Sequence, residues 1–208
     1  MNSFEIDLKR AVFSWKFLFG MLLQIIIIHT AGFESDLYQI SVPVVCTFPY
    51  TTAWLWDYQS GFIKLYLYRT KISGYILGKI LACGISGGLL ELLVYLLCSF
   101  WKREGMIQGI GILIFMSGVL WSVLAAVLAA MTNSKYIAYG GSFVLYYLLI
   151  IFYQRYTKKL YCLYPLEWIK PEHTWIFGQQ GVVLLLAAIT MILILIYYEI
   201  LRRCMERV

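Results

Sequence analysis

The sequence predicts an all-α integral membrane protein with about six transmembrane helices, and three observations lead there. Of 208 residues, 62% are hydrophobic and only 13% are charged, with a mean hydropathy of +0.77. A soluble domain needs more charge than that to cover its surface. The apolar residues also come in long blocks: 17–33, 37–56, 106–134, 136–154 and 174–198 contain no Asp, Glu, Lys or Arg, and 80–100 contains Glu91 alone. A hydrocarbon core of about 30 Å is crossed by about 20 helical residues. Helices satisfy their own backbone polar groups, as lipid requires, and the period-two alternation of a membrane barrel is absent. One transmembrane domain, 1–208, accounts for the chain.

Taken in order, residues 2–16 read as an amphipathic helix. Asn2 is a candidate cap with Glu5 three residues on, and Phe4, Leu8, Ala11, Val12 and Trp15 share a face. Such a helix suits the membrane interface; a plain extension of the first span is the alternative. Helix 1 is expected at 14–31, as a retained signal anchor, with Lys16 snorkelling. A short acidic turn precedes helix 2 at 38–56, which carries Pro43 and Pro49. A polar segment, 57–73, leads to helix 3 at 74–99, helix 4 at 106–131 and helix 5 at 136–153. A longer polar stretch then precedes helix 6 at 175–199 and a basic tail. With the N-terminus inside, eleven basic residues, Lys79 among them, fall on the inner face and six on the outer. That bias places both termini in the cytoplasm. It also explains the net charge of +6 without a nucleic-acid partner.

Within the segment after helix 2, Asp57 or Ser60 is placed to cap a short helix. Phe62, Leu65, Tyr66 and Arg69, with Ile72 or Ser73, share one face, and Lys64 and Lys71 lie on another. A cytoplasmic amphipathic helix held between two spans either docks on a partner or lies on anionic headgroups. The run Asp57-Tyr58-Gln59-Ser60-Gly61, then Leu65, Arg69 and Ser73-Gly74-Tyr75-Ile76-Leu77-Gly78-Lys79, resembles the signature of ABC-2 type transporter permeases. Lys71 stands where that family usually has proline, and Tyr58 where a basic residue is common. The six-span layout, the N-terminal interfacial helix and the large outer segment are similar too.

The resemblance implies a permease subunit without an ATPase of its own. It would pair with a second permease copy or paralogue and sit on a separate ABC ATPase that binds ATP and Mg. The segment 61–73 would be the cytoplasmic coupling helix between helices 2 and 3, formed by Asp57, Ser60, Gly61, Phe62, Leu65, Tyr66, Arg69 and Ser73. Tyr164, Pro165 and Trp168 would form an outer gate. The expected cargo is a peptide, a lipid-like molecule or a drug leaving a bacterial cell. No GxxxxGK[ST] motif occurs in the chain.

Glu91 is the sole charge within the apolar blocks. A carboxylate at that depth is partnered or functional. It either lines a conduit or dimer seam, with Gln24 as a polar neighbour, or is neutral or within reach of water at the helix end. Gly84 and Gly88 form a GxxxG that serves either helix packing within the chain or a dimer seam. The five cysteines have no metal spacing. His173 with Glu167 and Glu172 offers only one imidazole to a metal. His29 and Cys46 lack a third, orienting group for thiol catalysis. No catalytic residue and no cofactor of its own are therefore expected. A membrane scaffold or immunity protein that binds a partner is the rival to the exporter, ahead of an intramembrane enzyme.

Overall fold

The computed structural model describes residues 3–33, 35–63, 72–102, 109–156, 160–171, 173–175 and 177–206. Eight α-helices carry this part of the chain: α1 (Ser3–Val12), α2 (Trp15–Ala31), α3 (Asp36–Val45), α4 (Ala53–Gln59), α5 (Ile72–Lys102), α6 (Ile110–Thr132), α7 (Lys135–Tyr156) and α8 (Gln179–Glu206). Two short 3₁₀ turns, Tyr161–Leu163 and Pro165–Trp168, precede α8, and no strand occurs among the described residues.

Four helices, α5 to α8, are long and apolar enough to cross a bilayer. The pair α1–α2, bent by 48° at its break, supplies a fifth candidate. Ser14 makes that bend, because its hydroxyl both donates to the Ala11 carbonyl at 2.8 Å and accepts from the Phe17 amide at 3.1 Å. It thereby ends one helix and caps the next. Asn2, the expected cap of α1, lies outside the described residues.

The expected second span is not one helix. Between α3 and α4 the chain turns through 46–52. Pro43 and Pro49 each lack an amide donor, so the α-helical ladder fails twice. The Thr47 amide bonds to Val44 at 3.1 Å rather than to Pro43. The orphaned Pro43 carbonyl instead accepts from the Ser142 hydroxyl of α7 at 2.6 Å. Thr47 and Thr51 turn their hydroxyls back onto the carbonyls of Val44 and Thr47. Nearly all of 42–55 is buried inside the bundle, the one setting in which non-helical backbone is tolerated at membrane depth.

Helix α6 is the hub, in contact with α3, α4, α5, α7 and α8. Its packing on α5 is close. A Cβ on Gly118 would lie 2.9 Å from the Gly87 carbonyl and 3.1 Å from the Gly88 Cα. A Cβ on Gly88 would meet Val119 and Phe115, and one on Gly84 would meet Val123 and Val119. The Gly84–Gly88 face is therefore occupied by α6 of the same chain. Helices α7 and α8 lie outside this pair and present Leu148, Phe152, Leu184, Ile192 and Leu195 outward, as lipid-facing helices do. Helix α8 also continues through the segment expected to be a basic tail, with Arg202 donating to Glu206 at 3.0 Å.

Candidate functional site

Helix α5 has 31 residues, a length of about 46 Å at 1.5 Å per residue. Trp101 at its C-terminal end is exposed, as an interfacial residue would be. Counting back about 30 Å from there reaches Leu81. Lys79 lies two turns inside a helix that begins at Ile72. In a span that ended at Trp101, Lys79 would fall at the opposite boundary and Glu91 near the middle.

Lys79 is only 3% exposed. A buried ammonium must find partners for its three protons, and it finds three. Its Nζ lies 2.7 Å from Asp57 Oδ2, 3.1 Å from Asp7 Oδ1 and 2.8 Å from the Tyr50 hydroxyl. The Tyr50 hydroxyl donates onward to Asp7 Oδ1, and the Tyr75 hydroxyl donates to Asp57 Oδ2 at 2.8 Å. The two rings also stand beside the cation, 5.0 Å and 5.5 Å from Nζ to their centroids. Four elements meet in this cluster: α1 through Asp7, the 46–52 turn through Tyr50, α4 through Asp57, and α5 through Tyr75 and Lys79. Ala11, Trp54, Ile76 and Ile80 surround it with apolar packing. Asp7 is 4% exposed, and its Oδ2 has no hydrogen-bond partner among the described residues.

This geometry changes two sequence expectations. Helix α1 turns Asp7 and Ala11 inward onto α5, so it is docked on the protein. Lys79, counted among the inner-face charges, is buried and paired with Asp7 and Asp57, which leaves that count at ten against six.

Of the residues expected to form a coupling helix, Asp57 joins the cluster. Ser60 closes α4 and bonds back to the Asp57 carbonyl at 3.3 Å. Gly61 follows with φ +71°, a conformation that glycine adopts without strain. Phe62 is 38% exposed, and Ser73 is exposed in the first turn of α5. Leu65, Tyr66 and Arg69, with Lys64 and Lys71, lie outside the described residues.

Glu91 is fully buried, so it does not reach water. Gln24 Nε2 donates to its Oε2 at 3.2 Å, and the Ser41 hydroxyl lies 3.0 Å from Gln24 Oε1. The chain Ser41–Gln24–Glu91 links α3, α2 and α5. Glu91 Oε1 and the neighbouring Ser117 hydroxyl of α6 have no partner among the described residues.

At the far end, the segment expected to gate the exit folds into an aromatic cap. Tyr164 stacks on Tyr153 at 4.3 Å, and Trp168 meets Trp121 at 5.6 Å. Pro165 starts the second 3₁₀ turn. Glu167, nearly fully buried, holds the cap together. Its carboxylate accepts from the His173 amide at 3.2 Å and the Trp175 indole at 3.5 Å, and its Oε1 lies 2.7 Å from His173 Nδ1. No group of three His, Cys, Asp or Glu side chains suited to a metal occurs among the described residues.

Sequence reasoning missed Asp7, Tyr50, Tyr75 and the pairing of Lys79. One signal was present: Lys79 adjoins an apolar block, and a cation placed there needs a carboxylate. Nothing in the local pattern of α1 designated Asp7 as that carboxylate.

Fold and cluster together define an all-helical, multi-pass membrane protein whose N-terminal helix is locked to the bundle by a buried ion-pair cluster. Compared with known families, characterised proteins and solved structures, the chain matches none.

Proposed function

We propose that the chain is the permease subunit of an ATP-driven exporter of the ABC-2 type. Its six crossings count α2, the broken α3–α4 element, α5, α6, α7 and α8, with both termini in the cytoplasm of a bacterium. A separate ABC ATPase binds ATP and Mg, a second permease copy or paralogue completes the conduit, and the cargo is hydrophobic or amphipathic.

The observation that carries this reading is the position of the ion-pair cluster. Asp57 and Lys79 flank the segment 61–73 on its two sides and bond to each other at 2.7 Å. Asp7 ties α1 into the same knot at 3.1 Å. A push delivered to this knot moves α1, α4 and α5 together as a rigid body. Around the knot, Trp56, Phe62 and Ile72 leave apolar surface exposed, suited to an anchor in a partner's groove. The Glu91–Gln24–Ser41 chain supplies a buried polar point within the apolar bundle.

The test is the double variant Phe62→Ala, Leu65→Ala, assayed for co-purification of the ATPase and for coupling of its hydrolysis to export. Loss of binding or of coupling with insertion unchanged is expected. Normal binding with normal coupling overturns the coupling role. Sensitivity to loss of Lys64 and Lys71 alone points to a segment that rests on lipid, and to the scaffold instead.

A further inference from the structure

Lys16, at the start of α2, has no carboxylate partner among the described residues. Its Nζ donates to the Tyr139 hydroxyl of α7 at 3.3 Å and to the Thr52 hydroxyl at 3.4 Å. Those two hydroxyls lie 3.2 Å from each other. The donor inventory is therefore unbalanced. Two ammonium protons meet the hydroxyl oxygens, and one hydroxyl proton serves the contact between Thr52 and Tyr139. One ammonium proton and one hydroxyl proton have no acceptor among the described residues, and the exposed Lys16 head leaves them open to a ligand from outside. Thr52 is buried at 3% exposure, so its hydroxyl is fixed in place by the broken element rather than free on a surface.

Beside this triad runs an apolar slot of about 340 Å³ lined by Trp15, Lys16, Phe19, Phe48 and Tyr139. Phe48 stacks on Phe19 at 6.0 Å and meets Tyr139 edge-on at 5.9 Å, which gives the slot firm aromatic walls. Trp15, at 77% exposure, marks the level of the membrane interface. The positive end of α2 adds to the Lys16 charge. A positive, donor-rich head over an apolar slot at the interface is complementary to one kind of molecule.

We infer that Lys16, Thr52 and Tyr139 bind the phosphate of an anionic glycerophospholipid whose acyl chain lies in the slot between Phe19 and Phe48. The lipid would seat the bend between α1 and α2 against α7. This site does not depend on the exporter reading.

Native mass spectrometry of the full chain, released from detergent after incubation with dioleoylphosphatidylglycerol or dioleoylphosphatidylcholine, tests the inference. One retained phosphatidylglycerol is expected, with phosphatidylcholine retained about tenfold less, because both lipids offer the phosphate but choline brings a second positive charge beside the Lys16 ammonium. Lys16→Gln should lower retention of phosphatidylglycerol by a similar factor, Lys16→Arg should restore it, and Tyr139→Phe should fall between. Lys9→Gln, which removes a surface lysine paired with Glu5 at 2.8 Å, should leave retention unchanged. Equal retention of the two lipids, or of phosphatidylglycerol by Lys16→Gln, overturns the site. So does an equal loss in Lys9→Gln, which would reflect general surface charge. Displacement of the lipid by millimolar inorganic phosphate would show a free-anion site and overturn the assignment to lipid.

Discussion

Replacing Lys79 with methionine tests the ion-pair cluster directly. The substitution keeps the length of the side chain and its apolar packing against Ile76 and Ile80 while removing the charge. Both carboxylates then lose the one cation they have among the described residues. Breaking a buried pair by removing one partner costs about 3–5 kcal/mol, because an uncompensated charge stays behind. Two features of the cluster place this case near the lower end, at about 3 kcal/mol. The Asp57 side chain retains 18% of its exposure and can draw on water. Tyr50 and Tyr75 still donate to Asp7 and Asp57. For a chain of this size that corresponds to a fall of roughly 6–12 °C in melting temperature. Asp57→Asn should cost less, about 1 kcal/mol, since Lys79 keeps Asp7. The triple change Asp7→Asn, Asp57→Asn, Lys79→Met removes every charge at once and should be milder than Lys79→Met alone, a coupling expected of residues in one network. Thermal unfolding in detergent, followed by the loss of the monodisperse peak on size-exclusion chromatography, gives the order. A Lys79→Met protein as stable as wild type, or an Asp57→Asn protein less stable than Lys79→Met, would refute the reasoning.

Gly118→Leu should destabilise by about 1–3 kcal/mol or abolish folding, because the nearest obstacles are backbone atoms of Gly87 and Gly88; Gly140→Leu, where nothing lies within 4 Å of a Cβ, is the control in the same melting assay. Glu91→Gln should melt at or above the wild-type temperature, since the neutral amide keeps the Gln24 contact, whereas Gln24→Leu should cost about 1–3 kcal/mol by leaving Glu91 unpartnered. Under the exporter reading, Glu91→Leu should also lower export, and unchanged export would remove Glu91 from the conduit. Glu167→Ala should loosen the outer cap, because the His173 amide and the Trp175 indole lose their acceptor; a red shift of tryptophan emission and faster proteolysis between 160 and 175 report it, and an unchanged spectrum would show that the aromatic stacking alone holds the cap.

The long spans were legible because each carries its own signal. The blocks around 80–100, 110–132, 136–154 and 179–198 each lie in a single helix, and the last of these runs on through Glu206, well past its expected end at 199. Hydropathy could not show the break in 38–56. Pro43 and Pro49 were visible, yet a proline inside an apolar run is compatible with a kinked helix as well as with two helices. The outcome depends on Ser142, far along the chain, taking the Pro43 carbonyl that the Thr47 amide leaves open. The same limit applies to Asp7. A helical wheel for α1 separates apolar from polar residues but does not say which face meets α5, and the buried cation that selects Asp7 belongs to another helix. Glu91 was singled out by its isolation among apolar residues, and Gln24 was named beside it. Ser41 reaches Gln24 only through the packing of α3 on α2, which no local pattern shows.

The broken element bears on the order in which the molecule is made. Its turn relies on a hydroxyl from a helix that leaves the ribosome later, since Pro43 and Ser142 are 99 residues apart. At about 5–20 residues per second that interval is roughly 5–20 s of synthesis. Until it ends, 36–59 carries backbone groups that lipid cannot satisfy, and the stretch has no stable resting place in the bilayer on its own. It must wait at the translocon, at the interface or in the hands of an insertase, and enter as the later helices close around it.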